Sequence, residues 1–291
     1  MAELCATIES AVRTLGAALM GVVNVTPDSF FDGGRLAEQG AVSSHIDALL
    51  AGGAHIIDVG GESTRPGAPP VAADEQIRRI GPAVDYAVSR GALVSVDTTS
   101  PEVADFALAQ GARVVNDVSC LADVELAGVT ARYQAAIIVT HSRGPMVKMA
   151  GFSRWPEDDY ADVVRDVQAE WCAARDRAVA RGVRPEYVLC DPGLGFSKSA
   201  RHSLELLGRL DELGDGIAGA RLVVGPGRKS FISAVDPSPP AERLGGTIAA
   251  SIIAVQRGAQ VLRVHDVREV RQALAVIRSA RAPQPESARA L

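Results

Sequence analysis

Residues 93–119 read LVSVDTTSPEVADFALAQGARVVNDVS, and the reading of this stretch decides the fold. It opens on a near-continuous apolar run, 93–98, that closes in Asp97-Thr98. A helical pattern over 101–110 follows, with Pro101 at its head, and it stops at Gly111, as the left-handed position after a helix favours. A second run, 113–119, closes in Asn116-Asp117. Runs of this kind, not alternating apolar and polar, fit strands buried on both faces of a parallel sheet. The amphipathic stretch between them is the crossover that a parallel pair requires.

The same rhythm extends outward along the chain. Strand-like runs are predicted at 18–25, 55–61, 135–141, 188–193, 222–227 and 260–267, and helices at 75–89, 159–181, 202–213, 247–257 and 268–278. Gly91, Gly182 and Gly258 stand just past three of those helices. About eight strand–helix units in one chain of this size imply a single-domain α/β fold, a (β/α)8 TIM barrel over residues 1–280. A doubly wound open sheet is the alternative. Residues 281–291, RAPQPESARAL, read as a disordered tail.

Composition narrows the function classes. Apolar residues are 47% of the chain and charged residues 22%, enough for a large core and too apolar for wholesale disorder. A net charge of −5 argues against a general nucleic-acid binder. No apolar run approaches a membrane span, and no basic leader precedes the first apolar stretch, so a cytoplasmic protein without a secretory signal is expected. Cys5, Cys120, Cys172 and Cys190 are far apart and read as reduced thiols.

A barrel carries its chemistry at the carboxyl ends of its strands, and unusual polar residues collect there. The first strand runs into Asn24-Val25-Thr26-Pro27-Asp28, the second into Glu62-Ser63-Thr64-Arg65, the third into Asp97, the fourth into Asn116. The remaining strands end at His141, Asp191, Arg228-Lys229 and Arg263-Val264-His265. Each residue has a plainer reading. Asp97 could cap the helix that begins near Pro101, Asn116 and Asp191 could serve turns, Arg228-Lys229 could be a solvated pair, and Arg65 a surface arginine. His141 is equally a core histidine or a ligand, whereas His45, His55 and His202 read as structural or exposed. The string at 225–230, GPGRKS, lacks phosphate-loop spacing, and no zinc-like spacing occurs.

Taken together, two groups emerge. Asp97, Asn116, Asp191 and Lys229 could line a mouth that pairs with the donor and acceptor edge of a flat heterocycle; a carboxylate accepting two N–H bonds from an aminopyrimidine edge binds strongly where water is excluded. Asn24, Thr64, Arg65, Arg263 and His265 could form an anion and metal end. Asn24 offers a neutral oxygen suited to Mg2+, which takes few protein ligands and shares phosphate oxygens. Arg263 and His265 alternate on one strand and therefore point the same way.

The strings at 20–34 (MGVVNVTPDSFFDGG), 58–68 (DVGGESTRPGA), 95–98 (SVDT), 114–119 (VVNDVS), 191–198 (DPGLGFSK), 227–231 (GRKSF) and 263–267 (RVHDV), in that order, resemble the dihydropteroate synthase family. The resemblance covers nearly the whole chain. It implies a folate-pathway transferase that joins 7,8-dihydropterin-6-ylmethyl diphosphate to p-aminobenzoate and releases pyrophosphate. By the same resemblance Asn24 holds Mg2+, and Asp97, Asn116, Asp191 and Lys229 form the pterin pocket. Phe196 lies beside p-aminobenzoate, and Thr64, Arg65, Arg263 and His265 contact diphosphate and p-aminobenzoate. Asp97, Asp191, Lys229, Arg263 and His265 are the expected catalytic set, acting by positioning and charge in a dissociative substitution. Loops 26–35 and 63–68 resemble mobile loops that close over the substrates, and a homodimer is implied. Two positions depart from the family pattern: Ser142 stands where a methionine packs on the pterin ring, and Gly227 where a serine lies near the aminobenzoate carboxylate. A pterin-dependent methyltransferase barrel and a non-catalytic pterin-binding paralogue are the alternatives.

Overall fold

The computed structural model describes residues 2–26, 39–63, 69–144, 153–217 and 219–281. Helix α1 (Ala2–Thr14) precedes β1 (Ala18–Asn24), α2 (Gln39–Gly52), β2 (Ile56–Gly60), α3 (Ala73–Ser89) and β3 (Leu93–Asp97). Next come α4 (Pro101–Ala109), β4 (Val114–Asp117), α5 (Glu125–Arg132), β5 (Ala136–Thr140), α6 (Val163–Ala180) and β6 (Val188–Asp191). The chain ends with α7 (Ala200–Gly208), α8 (Leu210–Gly216), β7 (Val223–Val224), α9 (Ser230–Val235), α10 (Leu244–Gln256), β8 (Val261–Val264) and α11 (Val267–Arg281). Neighbouring strands pair in parallel in the order β6-β5-β4-β3-β2-β1-β8-β7. A parallel bridge between Cys190 and Leu222 joins β6 to the start of β7. The sheet therefore returns on itself, which selects the barrel over the open sheet.

The two-residue period of a strand sorts this sequence into an outside and an inside. Outward residues such as Leu19, Ile57, Val94, Val115, Ile137 and Leu262 pack under the helices in one large core. Inward residues near the amino ends, including Met20, Ile56, Leu93, Val114, Leu189 and Val261, form a second core that Leu4, Ile8 and Ala11 of α1 plug from below. Two residues further along, the inward positions turn polar. Ile56 gives way to Asp58, Leu93 to Ser95 and Asp97, Val114 to Asn116, Leu189 to Asp191, and Val261 to Arg263. The barrel interior thus has an apolar floor and a hydrogen-bonding mouth.

Helix starts follow local chemistry. Ser100 accepts from the Val103 N–H, with Pro101 at the first turn of α4; Asp162 caps α6; Ser199 and His202 form a reciprocal capping box on α7. Because Ser100 is the cap, Asp97 is not. The glycines read as helix stops have φ of 72° (Gly91), 113° (Gly111), 97° (Gly182) and 97° (Gly258).

The structure also adds to and redraws the sequence-based elements. Helices α1, α2, α5 and α9 were not expected. Helix α5 has eight residues and α9 six, too few for a period to stand out. The helix expected over 202–213 divides at Arg209 into α7 and α8. Residues 27–35, 64–68 and 282–291, on which the loop and tail expectations fall, lie outside the described residues, as do Thr64 and Arg65.

Candidate active site

Strand register brings the site together. Asn24 pairs with Gly60, Gly60 with Asp97, and Asp97 with Asn116, one row across four neighbouring strands. Glycine at position 60 eases a tight approach to Asp97. A Cβ there would lie 3.3 Å from the Asp97 Cβ and 3.8 Å from Asn24 Oδ1. One layer deeper, Asp58 pairs with Ser95. Across the mouth, Gly225 leaves room between Asp191 and Arg263; a Cβ at that position would be 3.9 Å from Asp191 Oδ2 and 4.0 Å from the Arg263 Cβ.

Arg263 organises the acids. Its Nε donates to Asp58 Oδ2 at 2.6 Å and one terminal nitrogen donates to Asp97 Oδ2 at 2.6 Å. Asn116 Nδ2 donates to the same Asp58 oxygen at 3.2 Å. Arg263 thus sits among the pterin-mouth residues instead of only at an anion end with His265. Asp58, fully buried, was missed as a site residue. Its signal was an acid at an inward position of the Ile-Ile-Asp-Val-Gly run, which tolerates a charge only if something pairs with it. Among the described residues, three polar atoms in this cluster find no hydrogen-bond partner: Asp58 Oδ1, Asp97 Oδ1 and Ser95 Oγ. Two are carboxylate acceptors, so the base of the mouth is set to receive N–H donors.

Burial governs the charges. Desolvation raises the Asp97 pKa to about 7, against the pull of Arg263 and reinforced by Asp58 and Asp117. Asp191 is also raised by burial, although its Oδ1 accepts the Gly193 N–H at 2.8 Å. Lys229 is pushed down to about 8 by burial, with Asp191 opposing; its Nζ lies 4.2 Å from the centroid of the Phe196 ring. His265 is pushed down to about 3 by burial and then by Arg263, so the ring is neutral at physiological pH. It therefore meets an incoming ligand as a neutral imidazole, and the fixed positive charge of this face is carried by Arg263, which burial opposes but Asp58 and Asp97 hold protonated.

Among the other candidates, Arg228 is not a solvated residue. It is 7% exposed, grips Asp266 through Nε (2.9 Å) and a terminal nitrogen (2.6 Å), and donates to the carbonyls of Pro240 and Ala241. Asp266 and Arg228 thereby tie the β7 loop to the end of β8, which aims the adjacent Lys229. His141 resolves as a buried histidine held by Glu170 and Lys198. His45 and His55 bond to the backbone at Val22 and Leu19. The base of the loop after β2 is anchored by Glu62, which accepts from the Val71 N–H and Gln76 Nε2. Ser142 is buried with its hydroxyl 3.3 Å from that of Ser197, and a Cβ at position 227 would lie 3.6 Å from the His265 ring.

Asn24 Oδ1 stands at the lip beside Gly60 and Asp97. Among the described residues no group of three or more His, Cys, Asp or Glu side chains could hold a metal. One neutral amide oxygen nevertheless fits Mg2+ that takes its other ligands from water and substrate phosphate.

Residues 20–265 match the family model for pterin binding enzymes. A dihydropteroate synthase from Synechocystis is 40% identical over 87% of this chain and 86% of its own length. A probable bifunctional folylpolyglutamate synthase/dihydropteroate synthase from Haloferax volcanii is 41% identical over 92% of this chain, which spans 31% of that longer protein. The crystal structure of a Clostridium difficile dihydropteroate synthase in the presence of pteroic acid superposes with a TM-score of 0.82, 34% identity, and coverage of 92% of this chain and 97% of that one. No helix among the described residues is long and apolar enough to cross a membrane.

Proposed function

The chain belongs to the dihydropteroate synthase family of pterin-binding enzymes, and on that premise we propose that the barrel mouth holds the pterin ring at its base and the diphosphate and p-aminobenzoate at its lip. The enzyme is a transferase that condenses 7,8-dihydropterin-6-ylmethyl diphosphate with p-aminobenzoate, giving 7,8-dihydropteroate and pyrophosphate. The observation that carries the residue assignment is the pair of buried carboxylate oxygens on Asp58 and Asp97 that find no hydrogen-bond partner among the described residues. A ring edge bearing N–H donors supplies what they lack, and leaving them unmet costs roughly 1–3 kcal/mol each. Asp97, Asn116, Asp191 and Lys229 then grip the ring, with Asp58 and Arg263 fixing Asp97 from behind.

In the reaction the bond between the methylene carbon and the diphosphate oxygen breaks and its electron pair leaves with pyrophosphate. The ring spreads the positive charge left on carbon, and Asp97 and Asp191 supply negative potential around it. The arylamine nitrogen, held beside Phe196, attacks that carbon with its lone pair, closes the new C–N bond and loses a proton to water or to the departed pyrophosphate. No side chain acts as nucleophile; the protein contributes position and charge. Arg263 adds its positive charge to the site from which the anion departs, Thr64 and Arg65 share that role by the family resemblance, and His265 donates as a neutral ring. Asn24 is the residue that would hold Mg2+, whose charge would offset that of the diphosphate. The cytoplasmic setting and the homodimer belong to the same family reading, and sedimentation of the purified chain tests the latter.

The deciding experiment is Asp97→Asn. It keeps the side-chain shape but replaces one acceptor oxygen by a donor amide that confronts N–H groups. Turnover, followed as pyrophosphate release on mixing the diphosphate substrate with p-aminobenzoate, is expected to fall ~100-fold or more with the circular dichroism spectrum unchanged. Wild-type kinetics in that variant would remove the pterin assignment, and no pyrophosphate release from the wild-type chain would favour the non-catalytic paralogue.

A further inference from the structure

Lys198 is completely buried and takes no part in the chemistry above. Its Nζ donates to His141 Nδ1 at 2.8 Å, to the Phe196 carbonyl at 3.1 Å and to the His141 carbonyl at 3.4 Å. Among the described residues no carboxylate forms an ion pair with it, although Asp191 is near enough to favour its charged form. Because the lysine donates, Nδ1 of His141 must accept, which places the imidazole proton on Nε2 and directs it to Glu170 Oε2, 3.0 Å away. Glu170, on α6, is in turn held by Arg143, whose guanidinium lies 3.8 Å from the centre of the Tyr160 ring.

This chain of contacts ends on the loop that carries Phe196. Residues 193–199 turn sharply against the end of β5. Gly193 has a φ of 69°, and a Cβ there would stand 2.1 Å from the His141 carbonyl oxygen. The Ser197 hydroxyl meets both the N–H and the carbonyl of Arg143, and Tyr160 donates to the Ser197 carbonyl at 2.8 Å. Lys198 is the inner pin of that turn. It joins the Phe196 backbone to the β5 end on one side of the loop while the Phe196 ring meets Lys229 on the other. Burial pushes the Lys198 pKa down to about 7, with Asp191 opposing; a buried amine is costly unless its hydrogens find acceptors, and here the Phe196 and His141 carbonyls and His141 Nδ1 supply them.

We propose that Lys198 is a positioning residue for the second substrate, fixing the Phe196 wall against which the arylamine packs. This rests on the reading that places p-aminobenzoate beside Phe196. Lys198→Met keeps the length and removes the three donors. Expected is a rise in KM for p-aminobenzoate of ~10-fold or more, with KM for the pterin diphosphate and the affinity for 6-hydroxymethyl-7,8-dihydropterin unchanged. In a Phe196→Ala background the same substitution should add nothing to KM for p-aminobenzoate, since the wall it positions is gone. Parallel changes in both substrates' constants, no change in either, or additivity with Phe196→Ala would overturn the proposal. Phe196→Ala that leaves KM for p-aminobenzoate untouched would instead refute the placement of that substrate. Should Lys198→Met fail to fold, Lys198→Gln, which keeps a donor for the carbonyls, is measured in the same way; it is expected to show a smaller shift confined to p-aminobenzoate, and an equal shift in both substrates would count against the role.

Discussion

Asp97 concentrates the physics of the site in one side chain. Desolvation raises its pKa to about 7 in the fold, from an ordinary value of 3.8, so its contribution to stability is intact below 3.8 and is lost as the pH climbs through 7. Asp97→Asn removes that titration. Thermal midpoints of wild type and variant, measured from about pH 5 to pH 8, are expected to converge or cross as the wild type loses ground; parallel curves would mean that Asp97 is not titrating. A pterin N–H edge favours the ionised carboxylate, so ring affinity should rise with pH up to about 7 in the wild type and stay flat in the variant. Asp58 and Arg263 matter at this scale as the pair that holds Asp97 in place. Removing either would strand a buried charge.

At the scale of the element, the two ends of the barrel answer to different rules. The β6 loop is a backbone device. Gly193→Ala puts a methyl into the His141 carbonyl at a φ that side chains resist. The variant is expected to lose ~2 kcal/mol in urea unfolding and to weaken p-aminobenzoate binding, because His141, Asp191 and Phe196 all hang on that turn; an unshifted urea midpoint would show that the loop absorbs the methyl. Helix α1 is a packing device. Ile8, 1% exposed, plugs the floor opposite the chemistry. Ile8→Ala is expected to cost about 3 kcal/mol with kcat unchanged, and a change in kcat at saturating substrate would show that floor and mouth are coupled.

The whole molecule is a barrel with an apolar floor and, above it, a mouth whose base is polar. Ring binding at the base should therefore report on global stability. A pterin at about 100 times its Kd is expected to add ~2.7 kcal/mol, read as a rise of several degrees in the unfolding midpoint, and that rise should vanish in Asp97→Asn. Equal stabilisation of both proteins would place the ring elsewhere. Strand order also decides which groups meet. Arg263 reaches Asp58 across 205 residues of sequence and Asp97 across 166, because β8 pairs with β1 and β1 with β2.

Read alone, the chain already specifies the barrel and most of its rim. Periodicity and helix-stopping glycines are local properties. The switch from Val and Leu to Asp, Asn and Arg at the carboxyl ends of strands is visible as Leu93-Val94-Ser95-Val96-Asp97 or Val261-Leu262-Arg263. The order of strings that marks the family is equally linear. What the chain does not spell out is pairing. Asp58 looked like one acid in an apolar run until register set it beside Ser95 and closure set it under Arg263. Lys198 has no evident partner in the linear sequence; burial and the approach of β5 supply the acceptors at His141 and Phe196. The tertiary structure alone decided these, because the charge a buried group can carry depends on the neighbours that folding delivers and on the water that folding removes.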